Sequence, residues 1–109
     1  MMGKTAPKPT PTQRIKGYVV VYNVQKGRSF QVLEMMVTDR FITMLLKGPG
    51  EGLHKLKMDR NPRLLRDLSS FQKRSAEEDV FLIYLDEEVP GISWRITNLR
   101  DLEKLPKRP

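Results

Sequence analysis

Cationic side chains are the most abundant groups in this sequence that could bind a ligand. The 109 residues include 20 Lys and Arg against 13 Asp and Glu, which gives a net charge of +7. Residues 1–76 have a balance of +10, and residues 77–109 have a balance of −3. A surface with one basic side can attract an anionic polymer to that side, although the same excess of charge also serves solubility alone.

Single-stranded nucleic acid is bound by neutralising its phosphates and by stacking its exposed bases on flat side chains. Both groups occur here. The candidate cations are Lys26, Arg28, Lys55, Lys57, Arg63, Arg66, Lys73 and Arg74. The candidate aromatic residues are Tyr18 and Tyr22, with Phe30 and Trp94 as weaker candidates. The alternative for each aromatic residue is packing in the core, and for the helix cations it is a solvated face.

Residues for catalysis or metal binding are few. His54 is the only histidine and there is no cysteine, so the sequence predicts no thiolate or histidine metal site and no disulfide. The carboxylates at 77–79 and at 86–88 flank one predicted strand, which would separate them by about 20 Å. Residues 48–52 are rich in glycine but lack the Gly-Lys-Ser/Thr of a phosphate-binding loop. We therefore expect a protein that is not an enzyme and has no cofactor.

The first half of the chain reads mainly as β-structure. Residues 18–24 are β-branched and aromatic, which predicts a strand, and residues 25–28 supply a turn with a glycine that can take positive φ. Residues 29–37 and 40–47 are predicted as two further strands. Apolar residues also repeat at helical spacing between 29 and 47, so one long helix is the alternative.

The second half of the chain contains the clearest helix. Residues 53–58 alternate as a short extended segment, expected to continue the third strand after a bulge. A helix should start at Pro62, capped by Asp59 or Asn61, with Leu64, Leu65, Leu68 and Phe71 on its apolar side. Residues 80–85 are typical of a central strand buried on both faces. Residues 92–97 should form the last strand, and residues 99–105 a short helix.

This order of three strands, a helix and a two-stranded hairpin resembles the OB-fold over residues 17–97. The resemblance is one of architecture, because no signature motif accompanies it. The predicted class is α+β: a mostly antiparallel small barrel or curved sheet of OB-like order βββ-α-ββ, with one amphipathic helix and a short C-terminal helix. If residues 29–47 were a helix, the order would be βαβαββ and the fold a two-layer sandwich of helices on a sheet.

One globular domain is expected at 17–105, between a flexible, basic, proline-rich arm at 1–16 and a tail at 106–109. The arm would add the cations Lys4, Lys8, Arg14 and Lys16 to any binding surface. No segment approaches the roughly 20 apolar residues that cross a bilayer, and residues 1–16 lack the apolar stretch of a signal peptide. We expect no membrane association and a cytoplasmic location, or a nuclear one in a eukaryote.

These observations predict a small, non-enzymatic nucleic-acid-binding protein that prefers single-stranded DNA or RNA and has low sequence specificity. The binding surface would combine the basic helix face with exposed aromatic residues. The alternative is an interaction adaptor or regulator that docks on a larger protein complex, through an edge strand or through the acidic region 77–88.

Overall fold

The computed structural model describes residues 12–50, 52–86, 88 and 92–102. Within them the chain forms a mixed α+β fold. The strands are β1 (Gln13–Arg14), β2 (Tyr18–Asn23), β3 (Arg28–Val37), β4 (Phe41–Lys47), β5 (Leu53–Asp59), β6 (Asp79–Leu85) and β7 (Ile92–Asn98). The helices are α1 (Pro62–Arg74) and α2 (Leu99–Leu102).

The strands form a single seven-stranded sheet with the order β5-β4-β3-β2-β6-β7, and β1 pairs with β3 beside this path. Only β2 and β6 pair in parallel, so the predicted antiparallel character is confirmed. The helix α1 connects β5 at one edge to β6, which returns beside β2. Among the described strands β5 and β7 remain edges, so this sheet is open. An OB-like order is not confirmed.

Residues 29–47 form two strands, as predicted, and the alternative of one helix is wrong. A tight turn joins β3 to β4, with the backbone N–H of Phe41 donating to Oγ1 of Thr38 at 2.9 Å. The backbone N–H of Thr38 donates in return to the carbonyl of Phe41 at 2.8 Å. Thr side chains favour such local turns over helix interiors, which explains why the strand interpretation prevails here.

The segment predicted as a continuation of the third strand is instead a separate strand. β5 pairs with β4 residue for residue, from Phe41 opposite Asp59 to Lys47 opposite Leu53. The irregularity of the sheet lies in β3, where the pairing with β4 shifts by one residue between Val32 and Glu34. This bulge keeps Val32 and Met35 both on the buried face.

The main core lies between α1 and one face of the sheet. Leu64, Leu68 and Phe71 are buried against a cluster that includes Val19 and Phe81. Asn61 is the N-cap, with its Oδ1 accepting from the backbone N–H of Leu64 at 3.1 Å, and Pro62 occupies the first turn. The predicted start and apolar side of this helix are therefore confirmed, with Asn61 as the cap.

A smaller cluster lies on the opposite face of the sheet. It contains Val20, Tyr22, Val80 and Leu82, and Leu102 of α2 packs against it. The strand β6 thus contributes to both clusters, as its unbroken apolar run predicts. The helix predicted for 99–105 is described as far as Leu102, and residues 103–109 lie outside the described residues.

The sheet includes two residues of the predicted arm 1–16. Gln13 and Arg14 pair with Met35 and Glu34 of β3. Gly17 then turns the chain into β2 with φ +80°, and a Cβ there would lie 3.2 Å from the ring of Phe71. Residues 1–11 of the predicted arm lie outside the described residues.

The helix α1 has 13 residues and α2 has 4. In the part of the chain that the structure describes, neither helix has both the length and the apolar character that a membrane-spanning helix requires.

Candidate nucleic-acid interface

The predicted cations lie on opposite sides of the sheet. Four of them form the helix surface, defined as Arg63, Arg66, Lys73 and Arg74. All four are exposed, because the buried side of α1 is taken by Leu64, Leu68 and Phe71. The predicted grouping of these four side chains on one face of a helix is therefore present in the structure.

Most of the helix surface is free of ion pairs. The exception is Arg66, whose Nε lies 3.7 Å from Oδ1 of Asp67, with 70% of the Arg66 side chain and 46% of the Asp67 side chain exposed. Such an exposed pair is screened by solvent and holds its partners weakly. Arg63, Lys73 and Arg74 form no ion pair with any residue that the structure describes. These cations are available to an anionic ligand.

A groove of about 630 Å³ runs beside α1, between the helix and the strands β1 and β3. We call it the basic groove. Its cations are Arg14, Lys16 and Lys73, its other polar residues are Gln13, Ser69 and Gln72, and its apolar residues are Met35, Val37, Leu65 and Leu68. None of the described residues that line it is acidic, and Glu34 is the strand partner of Arg14. Lys73 belongs to both the basic groove and the helix surface, so the two form one continuous region.

Sequence reasoning assigned Arg14 and Lys16 to a flexible arm and did not place them in a folded site. The backbone N–H of Lys16 donates to Oε1 of Gln72 at 3.2 Å, and the N–H of Ile15 donates to the carbonyl of Leu33 at 3.1 Å. Ile15 also packs against the main core. The apolar Ile15, two residues before Gly17, was the signal in the sequence that the sheet extends this far.

Lys55 and Lys57 lie on the face of the sheet that is opposite α1. They pair with Leu45 and Thr43 of β4, whereas the alternate residues of β4, such as Met44, are buried under the helix. The Nζ of Lys57 lies 4.0 Å from the centroid of the Phe41 ring. We define the β5 surface as Lys47, Lys55 and Lys57, all exposed. The structure does not bring this surface together with the helix surface.

Lys26 and Arg28 lie at the turn between β2 and β3. The backbone N–H of Lys26 donates to Oδ1 of Asn23 at 2.9 Å, and Gly27 has the positive φ predicted for this turn, 60°. Gly17, at the start of β2, lies against Phe71 near the end of α1. The turn between β2 and β3 lies at the opposite end of β2. It is therefore about 20 Å, the length of that strand, from the end of α1 that contacts Gly17. It stands apart from the basic groove.

The aromatic residues predicted to stack on bases pack mainly against the interior of the protein. Tyr22 exposes 6% of its surface and meets Tyr84 edge to face, with ring centroids 6.1 Å apart. Tyr18 is half-buried against the same cluster. Stacking of a base requires an exposed ring face, which Tyr22 does not offer in this arrangement. Of the weaker candidates, Phe30 is buried and Trp94 is half-buried.

Groups for metal binding do not converge in the described part of the chain, where no cluster of three or more His, Cys, Asp or Glu side chains occurs. His54 is exposed and lies against the Phe30 ring, with centroids 5.5 Å apart. The acidic residues Glu77 and Glu78 precede β6 and Asp86 follows it, so the strand separates them as the sequence predicts.

The arrangement on the α1 side of the molecule is thus a row of exposed cations next to a groove with cationic and apolar walls. Comparisons of the chain with protein-family models, with curated proteins and with solved structures found no match.

Proposed function

We propose that this chain is a non-enzymatic nucleic-acid-binding protein that holds single-stranded DNA or RNA along the helix surface and the basic groove. The observation that carries the proposal is the set of exposed cations on α1, three of which form no ion pair with a described residue, joined through Lys73 to the groove that contains Arg14 and Lys16. Phosphate neutralisation by such side chains supplies most of the affinity in non-specific binding.

The length of the cationic row suits a nucleic-acid strand. From Arg63 to Arg74 the helix rises by about 16 Å. Phosphates follow one another at about 3.4 Å along the axis of a stacked strand, so the row spans several of them. Exposed charges farther apart than a screening length of about 8 Å are largely screened at physiological salt, so each cation of the row acts mainly on the phosphates nearest to it.

The walls of the basic groove suit a nucleotide because both apolar and cationic residues line them. Leu65 and Val37 are half-buried and offer apolar contact for a sugar or a base, while Lys16 and Lys73 are exposed and neutralise the adjoining phosphates. Contacts to phosphate carry no sequence information, which accounts for the low specificity that we propose.

The β5 surface is left out of the proposed site. It lies across the sheet from α1, its Lys57 is engaged with Phe41, and Asp59 is exposed on the same strand. An OB-like arrangement stays a prediction, and nothing in the proposed site depends on it.

A titration with labelled single-stranded DNA and RNA at several salt concentrations tests the proposal. Replacing Arg63, Arg66, Lys73 and Arg74 with Gln should remove up to four phosphate contacts and flatten the slope of log K against log salt by about 2.8. The matched control replaces Lys47, Lys55 and Lys57 with Gln on the opposite face, and we expect it to bind like the parent. Circular dichroism confirms that both variants fold.

Two results would overturn the proposal. One is the absence of salt-dependent binding, which would favour the docking alternative through an edge strand or the acidic region 77–88. The other is a weakening by the three control substitutions that reaches about three quarters of the effect of the four, because net charge rather than the helix surface would then determine binding.

A further inference from the structure

A second groove, of about 460 Å³, lies on the other side of α1 from the basic groove. We call it the β7 groove, because Trp94 and Ile96 of β7 line the side that faces the helix. Lys73 lines the basic groove and Arg74 lines the β7 groove. The helix surface therefore lies between the two grooves and reaches both of them.

The β7 groove suits an uncharged group better than it suits a phosphate. Its two guanidinium groups, Arg74 and Arg95, are matched by the carboxylates of Asp67 and Asp79. The described residues that line the basic groove include cations and no acid. A strand held by its phosphates along the helix surface and the basic groove would therefore direct its bases, and not its phosphates, into the β7 groove.

Apolar surface for a base is present in the β7 groove. Ile96 is 59% exposed and Trp94 is half-buried, and the two lie on the same face of β7 because they alternate along the strand. The buried rings of Phe71 and Phe81 line the groove as well. The volume of the groove is within the range of small-ligand sites, so a base with its sugar can fit.

The carboxylate of Asp79 can distinguish among bases. Asp79 is half-buried, and its Oδ2 accepts from the backbone N–H of Ala76 at 3.0 Å, which holds the carboxylate in place. Its Oδ1 forms no hydrogen bond or ion pair with any residue that the structure describes. An ionised carboxylate accepts hydrogen bonds and donates none, so it favours a base that presents an amino group.

We propose that the β7 groove binds one unpaired base of the nucleic acid, and that Asp79 selects a base with an exocyclic amino group, cytosine over uracil or thymine. This inference rests on the proposed function, because the helix surface must hold the strand. Arg74 is exposed and lines the groove, so it neutralises the phosphate of the same nucleotide. Cytosine presents its N4 amino group where uracil presents the O4 carbonyl, an acceptor that a carboxylate repels.

A base pocket of this kind also gives a reason for a preference for single strands. The bases of a duplex are paired and stacked, and they enter a pocket only after extrusion from the helix, which costs free energy. The bases of a single strand can be splayed out at lower cost. One base selected in each bound strand adds only a modest preference, in keeping with the low sequence specificity that we propose.

Titrations of the full chain with oligocytidylate and oligouridylate RNA of equal length, at neutral pH and one salt concentration, test the inference. The parent should bind oligocytidylate several-fold more tightly. Asp79→Asn should remove this difference, because an amide can donate to O4 of uracil and can still accept from the N–H of Ala76. The matched control is Glu77→Gln, which removes the same charge from a residue outside the lining of the β7 groove and should keep the difference.

Trp94 supplies a second measurement, because it is the only tryptophan of the chain. Bound oligocytidylate should quench its fluorescence, since a base then lies beside the indole. Ile96→Ala should weaken the binding of oligocytidylate several-fold through the loss of apolar contact. Leu53→Ala is the matched control, at a leucine exposed to 58% on the β5 edge, and should bind like the parent.

The possible failures can be told apart. Equal affinities of the parent for the two oligomers, or salt-dependent binding that leaves the Trp94 fluorescence unchanged, would overturn this inference and leave the proposed function standing. A difference that persists in Asp79→Asn would refute the selection by Asp79. Absence of salt-dependent binding to either oligomer would overturn the proposed function, and this inference with it.

Discussion

The indole Nε1 of Trp94 on β7 donates a hydrogen bond of 2.8 Å to Oδ2 of Asp67 on α1. This contact joins the last strand of the sheet to the helix across 27 residues of sequence. It holds Trp94 on the α1 side of the sheet, where Trp94 and Asp67 both line the groove between α1 and β7.

Trp94→Phe should therefore lower the free energy of unfolding by about 1 to 2 kcal/mol, because a hydrogen bond to a carboxylate is lost together with some apolar contact. Urea denaturation followed by circular dichroism measures the change. Asp67→Asn keeps an acceptor oxygen for the indole and should cost less. If Asp67→Asn destabilised the protein as much as Trp94→Phe, the charge of Asp67 rather than the hydrogen bond would be the stabilising factor.

Asn61→Ala should destabilise the protein by about 1 kcal/mol, because the backbone N–H of Leu64 loses the side-chain oxygen that caps α1. Thermal unfolding measures the effect as a fall in Tm. Asn61→Asp retains an accepting oxygen at the same place and serves as the control, with a Tm near that of the parent. A drop of equal size in both variants would contradict this role of the cap.

Gly17→Ala should destabilise the protein by about 1 kcal/mol or more, since a side chain at φ +80° is strained and its Cβ would crowd the Phe71 ring. Gly50→Ala is the control, because a Cβ there meets nothing within 4 Å. Chemical denaturation of both variants gives the comparison. An unchanged midpoint for Gly17→Ala would show that the turn between β1 and β2 is not under this constraint.

Leu68→Ala should cost about 2 to 5 kcal/mol, because Leu68 is 1% exposed and its truncation leaves a cavity under α1. Leu53→Ala removes a leucine that is mostly exposed and should change the stability by less than about 0.5 kcal/mol. Urea titrations of the two variants check both values. A small loss for Leu68→Ala would mean that α1 is not packed as described.

Deleting residues 1–11 removes the cations Lys4 and Lys8 and leaves the basic groove intact. We expect the slope of log K against log salt for single-stranded nucleic acid to become shallower by at most about 1.4, two phosphate contacts. Salt titrations of the truncated chain measure it. A complete loss of binding would show that residues 1–11 supply the affinity and that the helix surface does not.

Local chemistry explains why most elements could be predicted from the sequence. The β-branched run in β2, the Thr38 turn, the Asn61–Pro62 start of α1 and the apolar run of β6 each express a preference of neighbouring residues. Such preferences depend on a few positions in the chain, so the sequence by itself determined where these strands and this helix lie.

The tertiary structure alone decided which residues share a surface. The strand order places Lys55 and Lys57 across the sheet from Arg63 and Arg66, and it buries Tyr22, although all of them have residue types suited to nucleic acid. It also brings Lys16 beside Lys73 in one groove, and among the described strands it leaves β7 paired only with β6. These relationships depend on pairings between strands that are distant in the chain, and local residue preferences carry no information about them.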